Sequence, residues 1–384
     1  MSTARPSPRS RLKKWFADST VFQWRNESLR ADLIFALPVA VCLAVGVAIG
    51  HPAVGLIAAG GAMNTGFGHK QCIDRSRLLP MIFVTLGMAF SGFVGVLIGH
   101  ENLLLVFIAA LWGFGYGMLT ARPGGYGWVG QQCVITFLVA SAFPAPLQDA
   151  AARGLLLLAG GILQLFLSAA LLQVFGDLKR RVSQLEHYLR EEQRALRSAV
   201  AETAESFWQR RFVNSAIPYS LRLAIVVGIG TEVYRRLHYP SGYWIPMTAL
   251  LVLKPAVTDT VSRAVARALG TVAGAVLVSL ALAHVQATPA ILAAFTALFA
   301  WLSYGVLNVN YALFSTCITG YIVFLLSLNE MPGPEIAQRR AFCTLMGAAI
   351  SLTVRLAIIS RYRHWWRRAL AIHRVLLAPR LPAD

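Results

Sequence analysis

Residues 33–69 contain no Asp, Glu, Lys or Arg, and residues 78–100 repeat the omission. Apolar runs of about 18 or more residues are long enough to cross the ~30 Å hydrocarbon core of a bilayer as helices. Lipid offers the backbone no hydrogen-bond partner, so such runs must take a form that satisfies its own amides. The rest of the chain agrees: 57% of residues are hydrophobic and 14% charged, against about 25% charged in soluble domains. These features predict an all-α, polytopic membrane protein.

Hydropathy divides the chain into about 12 spans, at 31–50, 54–67, 79–99, 103–119, 127–143 and 153–175, then 219–237, 243–253, 265–284, 289–306, 311–328 and 340–359. The halves read as a duplication. Ser28-Leu29-Arg30 is matched by Ser220-Leu221-Arg222, and His51-Pro52 by Tyr239-Pro240. Leu86-Gly87 is matched by Leu269-Gly270, and Arg153 with Gly160 by Arg340 with Gly347. Four matches in one order at a nearly constant offset predict two parallel six-span repeats, related by an axis along the membrane normal. The implied organisation is a basic N-terminus (1–28), a first membrane repeat (29–175), a charged cytoplasmic helix (176–215), a second repeat (216–360) and a basic tail (361–384). Within the central helix Val182, Leu185, Leu189 and Leu196 form one apolar stripe, broken by Glu192 and too short for a coiled coil.

The net charge is +18, and the basic runs flank the spans, at 5–14, 179–181 and 361–368. That is the positive-inside pattern of membrane proteins rather than a nucleic-acid footprint. It predicts that both termini and the central helix are cytoplasmic. Only Arg153, Arg235, Arg236, Arg339 and Arg340 of the 35 basic residues then fall on the outer side. The apolar run after the basic N-terminus reads as an uncleaved first span rather than a signal peptide. The five cysteines are isolated, with no CxxC spacing, and no metal or other cofactor is implied.

Two segments stand out as binding-site candidates. Residues 54–67 are rich in Gly and include Asn64, and residues 243–253 begin Tyr243-Trp244 and contain Pro246. Both are too short to cross as simple helices, and interrupted segments at matching positions of two repeats point to a transporter's site; tilted, tightly packed helices are the alternative. Lys254, Arg263 and Arg267 follow the second segment, Arg263 and Arg267 four apart on one helix face, and Arg222 lies just inside the seventh span. These cations suit an anion pathway, and equally the anchoring of helix ends at the inner surface. Arg153 and Arg340 occupy matched outer ends, where an anion-attracting ring or ion pairs with Asp149 or Glu335 would explain them. Asp32 and Glu232 lie near helix ends, Asp259 falls in the loop after the eighth span, and no proton relay can be named. The chain has no Walker, GxSxG or HExxH motif, so it reads as no enzyme.

Tyr243-Trp244, Pro246, Lys254-Pro255, Arg263, Arg267 and Leu269-Gly270-Thr271-Val272-Ala273-Gly274 together resemble the fusaric acid resistance (FUSC) family and the aromatic acid exporters, and more distantly the plant malate channels. The match is specific from Ser220 to about Leu280 and weaker in the first half, where Gly60-Gly61-Ala62-Met63 stands without the aromatic pair; Arg340 with Gly347 also fits. The resemblance implies an inner-membrane exporter of organic, including aromatic, carboxylates, with a homodimer and a membrane-fusion-protein partner. A passive anion channel and a non-transporting scaffold are the other readings.

Overall fold

The computed structural model describes residues 15–24, 29–74, 76–174, 210–285, 288–329 and 331–376. The described residues are helical apart from short links and one isolated bridge between Ile73 and Ser76. A one-turn helix, α1 (Ala17–Thr20), precedes α2 (Leu29–Ala48), α3 (Pro52–Phe67), α4 (Leu78–Ile98), α5 (Leu104–Thr120), α6 (Tyr126–Ser141) and α7 (Leu147–Val174). The second half holds α8 (Arg210–Leu237), α9 (Trp244–Val252), α10 (Val257–His284), α11 (Pro289–Val306), α12 (Tyr311–Ser327) and α13 (Gly333–Leu376). Each of the twelve apolar segments is therefore a helix. Six are long and apolar enough to cross a membrane: 78–98, 147–170, 216–237, 257–284, 289–306 and 333–357. The central charged segment lies largely outside the described residues.

Four starts are misplaced. Helices α7, α8, α10 and α13 begin six to nine residues earlier than expected. Arg153 and Arg340 therefore sit about two turns inside their helices rather than at the ends, and Asp259 lies in the first turn of α10, where an acid favours the helix dipole.

Outward faces are as apolar as the core. Leu33, Leu37, Val41 and Val45 on α2 and Leu221, Ile225 and Ile229 on α8 recur every four residues and are exposed. Large side chains repeated on the outside of a helix bundle face lipid. With the apolar lengths, they make this a multi-pass membrane protein.

Packing partners recur between the halves. In the first, α2 lies on α3, α3 on α7, α4 on α6 and α7, and α5 on α6. In the second, α8 lies on α9, α9 on α13, α10 on α12 and α13, and α11 on α12. The fourth helix of each half crosses over: α5 packs on α8, and α11 on α2. Two glycines set equivalent close approaches. A Cβ on Gly160 would overlap the Ala58 carbonyl, and one on Gly347 the Ile245 carbonyl.

Candidate anion-binding site

Helix α9 is a short buried element. Its nine residues rise about 13 Å at 1.5 Å per residue, less than half the hydrocarbon core. Pro246 does not break it. Proline stands in the first turn, where an N–H has no helical partner to lose, so it starts the helix instead. The break comes after Val252, where Leu253 turns extended. The freed carbonyls find side chains from three helices. Tyr219 Oη donates to Leu253 O at 3.1 Å, Thr260 Oγ1 to Lys254 O at 3.2 Å, and Arg355 Nη2 to Pro255 O. Irregular backbone within a membrane bundle persists only where it is covered and satisfied in this way.

Beside α9, two guanidinium groups converge on one face of α12. Arg340 of α13 is 1% exposed, and Arg267 of α10 is 3% exposed. Arg340 Nε donates to Thr319 Oγ1 at 3.2 Å, and Arg267 Nη1 to Ser315 Oγ at 3.4 Å. Ser315 and Thr319 are one turn apart, so both cations reach the same stripe of hydroxyls. The approach is close because Gly270 and Gly274 of α10 lie against Ala312 and Thr316 of α12, leaving no room for a Cβ. The guanidinium of Arg340 also lies 5.3 Å from the centre of the Trp244 ring.

The described residues place no carboxylate on either cation. Glu335 is held by Arg339 at 2.8 Å, and Glu232 by Arg235 at 2.8 Å and by Arg236. Both Nη atoms of Arg340 and Nε of Arg267 are buried without a hydrogen-bond acceptor. The same holds for the hydroxyls of Thr248, one turn along α9 from Trp244, and Thr271, one turn along α10 from Arg267. A buried donor left unmet costs about 1–3 kcal/mol, and more when charged. Such a set of donors is complementary to a negatively charged, acceptor-rich group, and a carboxylate matches the fork of an Arg.

Of the residues singled out from sequence, Tyr243, Trp244, Arg267 and Arg340 come together. Tyr243 and Trp244 are buried, not at an exposed interfacial belt, with ring centres 5.3 Å apart. Arg153 joins through Phe143: its guanidinium lies 4.8 Å from that ring, which is 6.4 Å from Tyr243. The others stand apart. Arg263 is paired with Asp18 at 3.4 Å and lies 3.8 Å from the centre of the Tyr311 ring. Lys254 is half-buried in the link after α9. Arg222 turns back to the Pro218 carbonyl at 2.9 Å, and Asn64 to the Gly60 carbonyl of its own helix at 3.1 Å. The cationic site lies inside the second half, among α9, α10, α12 and α13, rather than in the seam between halves.

Sequence reasoning missed Ser315, Thr319 and Arg355. The first two look like ordinary small residues of an apolar helix. Arg355 had a signal, a lone cation in the apolar run after Arg340.

Residues 226–354 match the family described as fusaric acid resistance protein-like. An uncharacterized protein of Synechocystis sp. is 31% identical over 135 residues, and the uncharacterized protein YhfK of Escherichia coli is 29% identical over 130. These matches cover 35% and 34% of this chain and 18% of each relative, so the chain spans less than a fifth of the curated proteins it resembles. No solved structure matches.

Proposed function

We propose, on the premise that residues 226–354 are a fusaric acid resistance protein-like segment, that this protein transports organic anions across the bacterial inner membrane. One observation carries the reading. Two guanidinium groups share a hydroxyl-lined helix face in a membrane bundle, without an acidic partner among the described residues. Ionisable residues kept inside membrane bundles pair with one another or mark an ion or substrate path. Here the pairing is missing and the donors point together.

The roles follow from geometry. Arg340 takes the carboxylate through its two Nη atoms, while its Nε stays on Thr319. Arg267 adds a second charge one turn away. Trp244 and Tyr243 offer ring faces, which suits an aromatic carboxylate. Arg153, reaching the same aromatic group through Phe143, attracts anions from the first half. The recurrence of packing partners supports two parallel six-span repeats, and the flanking basic runs support cytoplasmic termini.

The test is efflux of a panel of aliphatic and aromatic carboxylates from proteoliposomes. Arg267→Gln and Arg340→Gln should each cut efflux at least tenfold at unchanged folded yield. Unchanged rates in both variants overturn the proposal. Counterflow then separates carrier from channel, because only a carrier accumulates labelled anion against its gradient.

A further inference from the structure

A second buried polar group lies in the first half, where the sequence suggests no proton relay. The carboxylate of Asp32, on the first turn of α2, is 6% exposed. Lys70, whose side chain is 7% exposed, reaches it at 3.4 Å from the one-turn 3-10 helix that ends α3. The same Nζ donates to the carbonyl of Tyr304 on α11 at 2.7 Å. His69 stands alongside, 15% exposed, its ring stacked on Phe35 with centres 3.6 Å apart.

The imidazole is oriented. Its Nδ1 lies 2.6 Å from the Gly66 carbonyl, which can only accept, so Nδ1 carries a proton. Nε2 then faces Asp32 Oδ1 at 3.6 Å, too long for a settled hydrogen bond. Other ionisable groups on this side are the hydroxyl of Tyr304, donating to the Met63 carbonyl at 2.9 Å, and Tyr321 of α12 beyond it. From α4 and α12 the neighbours are apolar, Met81 against Gly68 and Phe314 against Phe67.

We infer that Asp32, His69 and Lys70 form a proton-binding site whose occupancy shifts α11 against α2 and so couples transport to a proton gradient. An aqueous proton takes the Nε2 lone pair and returns to water on release; no other bond forms or breaks. With His69 neutral, Asp32 balances Lys70. With His69 charged, the carboxylate is shared between two cations, and the hold of Lys70 between Asp32 and Tyr304 changes. That hold crosses the seam where α11 of the second half meets α2 of the first. Along that seam lies a shallow apolar groove of about 400 Å³, lined by seven alanines and Val47. Small side chains let helix backbones approach closely. Imidazole is the side chain that ordinarily changes charge between pH 5 and 8.

The coupling role rests on the transport reading; the proton-driven shift does not, and the experiment separates them. Nitroxides are placed at Ala44→Cys and Ala294→Cys in the full chain, with Cys72→Ser to remove the exposed thiol. Dipolar broadening is compared at pH 5.5 and pH 8. It should differ between the two pH values, and stay constant in His69→Gln and Asp32→Asn. In proteoliposomes His69→Gln should keep exchange of an anion with itself while pH-driven accumulation falls at least tenfold. No pH effect in the parent, the same effect in His69→Gln, or equal accumulation overturns the inference. Loss of self-exchange in the parent refutes transport instead, and the nitroxide result still decides whether the proton site exists.

Discussion

Replacing Arg340 by Gln separates a ligand-binding cation from a structural one, because the two roles predict opposite stabilities. A structural arginine contributes to the folded state, and losing it destabilises. Arg340 is buried with two unmet Nη atoms and no carboxylate among the described residues, so in the anion-free protein its charge is a burden. An uncompensated buried charge costs several kcal/mol, offset here only by one hydrogen bond to Thr319 and the Trp244 ring. Without anion, Arg340→Gln should therefore melt no lower than the parent. With anion the order reverses. A bidentate, charge-assisted contact in a desolvated site contributes about 2–4 kcal/mol, roughly 30- to 900-fold in Kd. At an anion concentration 100 times the parent Kd, the parent gains about 2.7 kcal/mol of stability by linkage. A variant weakened about 30-fold gains only about 0.9 kcal/mol under the same conditions. Thermal melts in detergent, across a benzoate titration, read both numbers. The reasoning fails if Arg340→Gln melts lower without anion yet keeps the full anion-dependent rise.

Three further outcomes follow from the same coordinates. Gly160→Leu and Gly347→Leu should each cost about 1–3 kcal/mol or more and cut the monodisperse fraction on size-exclusion chromatography, because each side chain meets a backbone carbonyl that cannot retreat. Burial, and then the neighbouring charge of Arg263, push the Lys254 ammonium down to about 8; the unfolded chain binds more protons between about 8 and the ordinary lysine range, so stability should rise with pH across that window. Dimethylated Lys254 should titrate in that region by NMR, and Lys254→Met should flatten the rise. Asp18→Asn should loosen the strap formed by residues 16–24, which is tied by Asp18 to Ser262 and Arg263 and by Gln23 and Val21 to Val309 and Asn310; cleavage near Phe16 should quicken in limited proteolysis, while global stability changes by no more than about 1 kcal/mol, as for exposed ion pairs.

Helical class and segment positions were legible because lipid leaves a chain few options, and charge-free runs record that constraint directly. Paired short motifs led to the expectation of a repeat, and one pair, Gly160 and Gly347, makes matching backbone contacts. Boundaries were less legible: Arg153 and Arg340 look like helix ends, yet a buried arginine inside a helix reads the same in one dimension. For the site, the Tyr-Trp pair and the arginines stood out by chemistry. Which cations share a space did not, since that depends on Ser315 and Thr319 and on glycines that let α10 approach α12. His69 and Lys70 passed unnoticed because a His-Lys pair after a glycine-rich helix looks like an ordinary loop; only the fold brings Asp32 and Tyr304 to them.

The crossed arrangement of the fourth helices bears on how the chain is made. Synthesis delivers α5 to the bilayer long before α8, and α2 longer still before α11. Each must wait in lipid, or against the insertion machinery, with one flank uncovered. Neither half is a closed unit, so two separately expressed fragments should assemble only together, with α11 reaching back to α2 as the docking event of longest sequence separation between the halves.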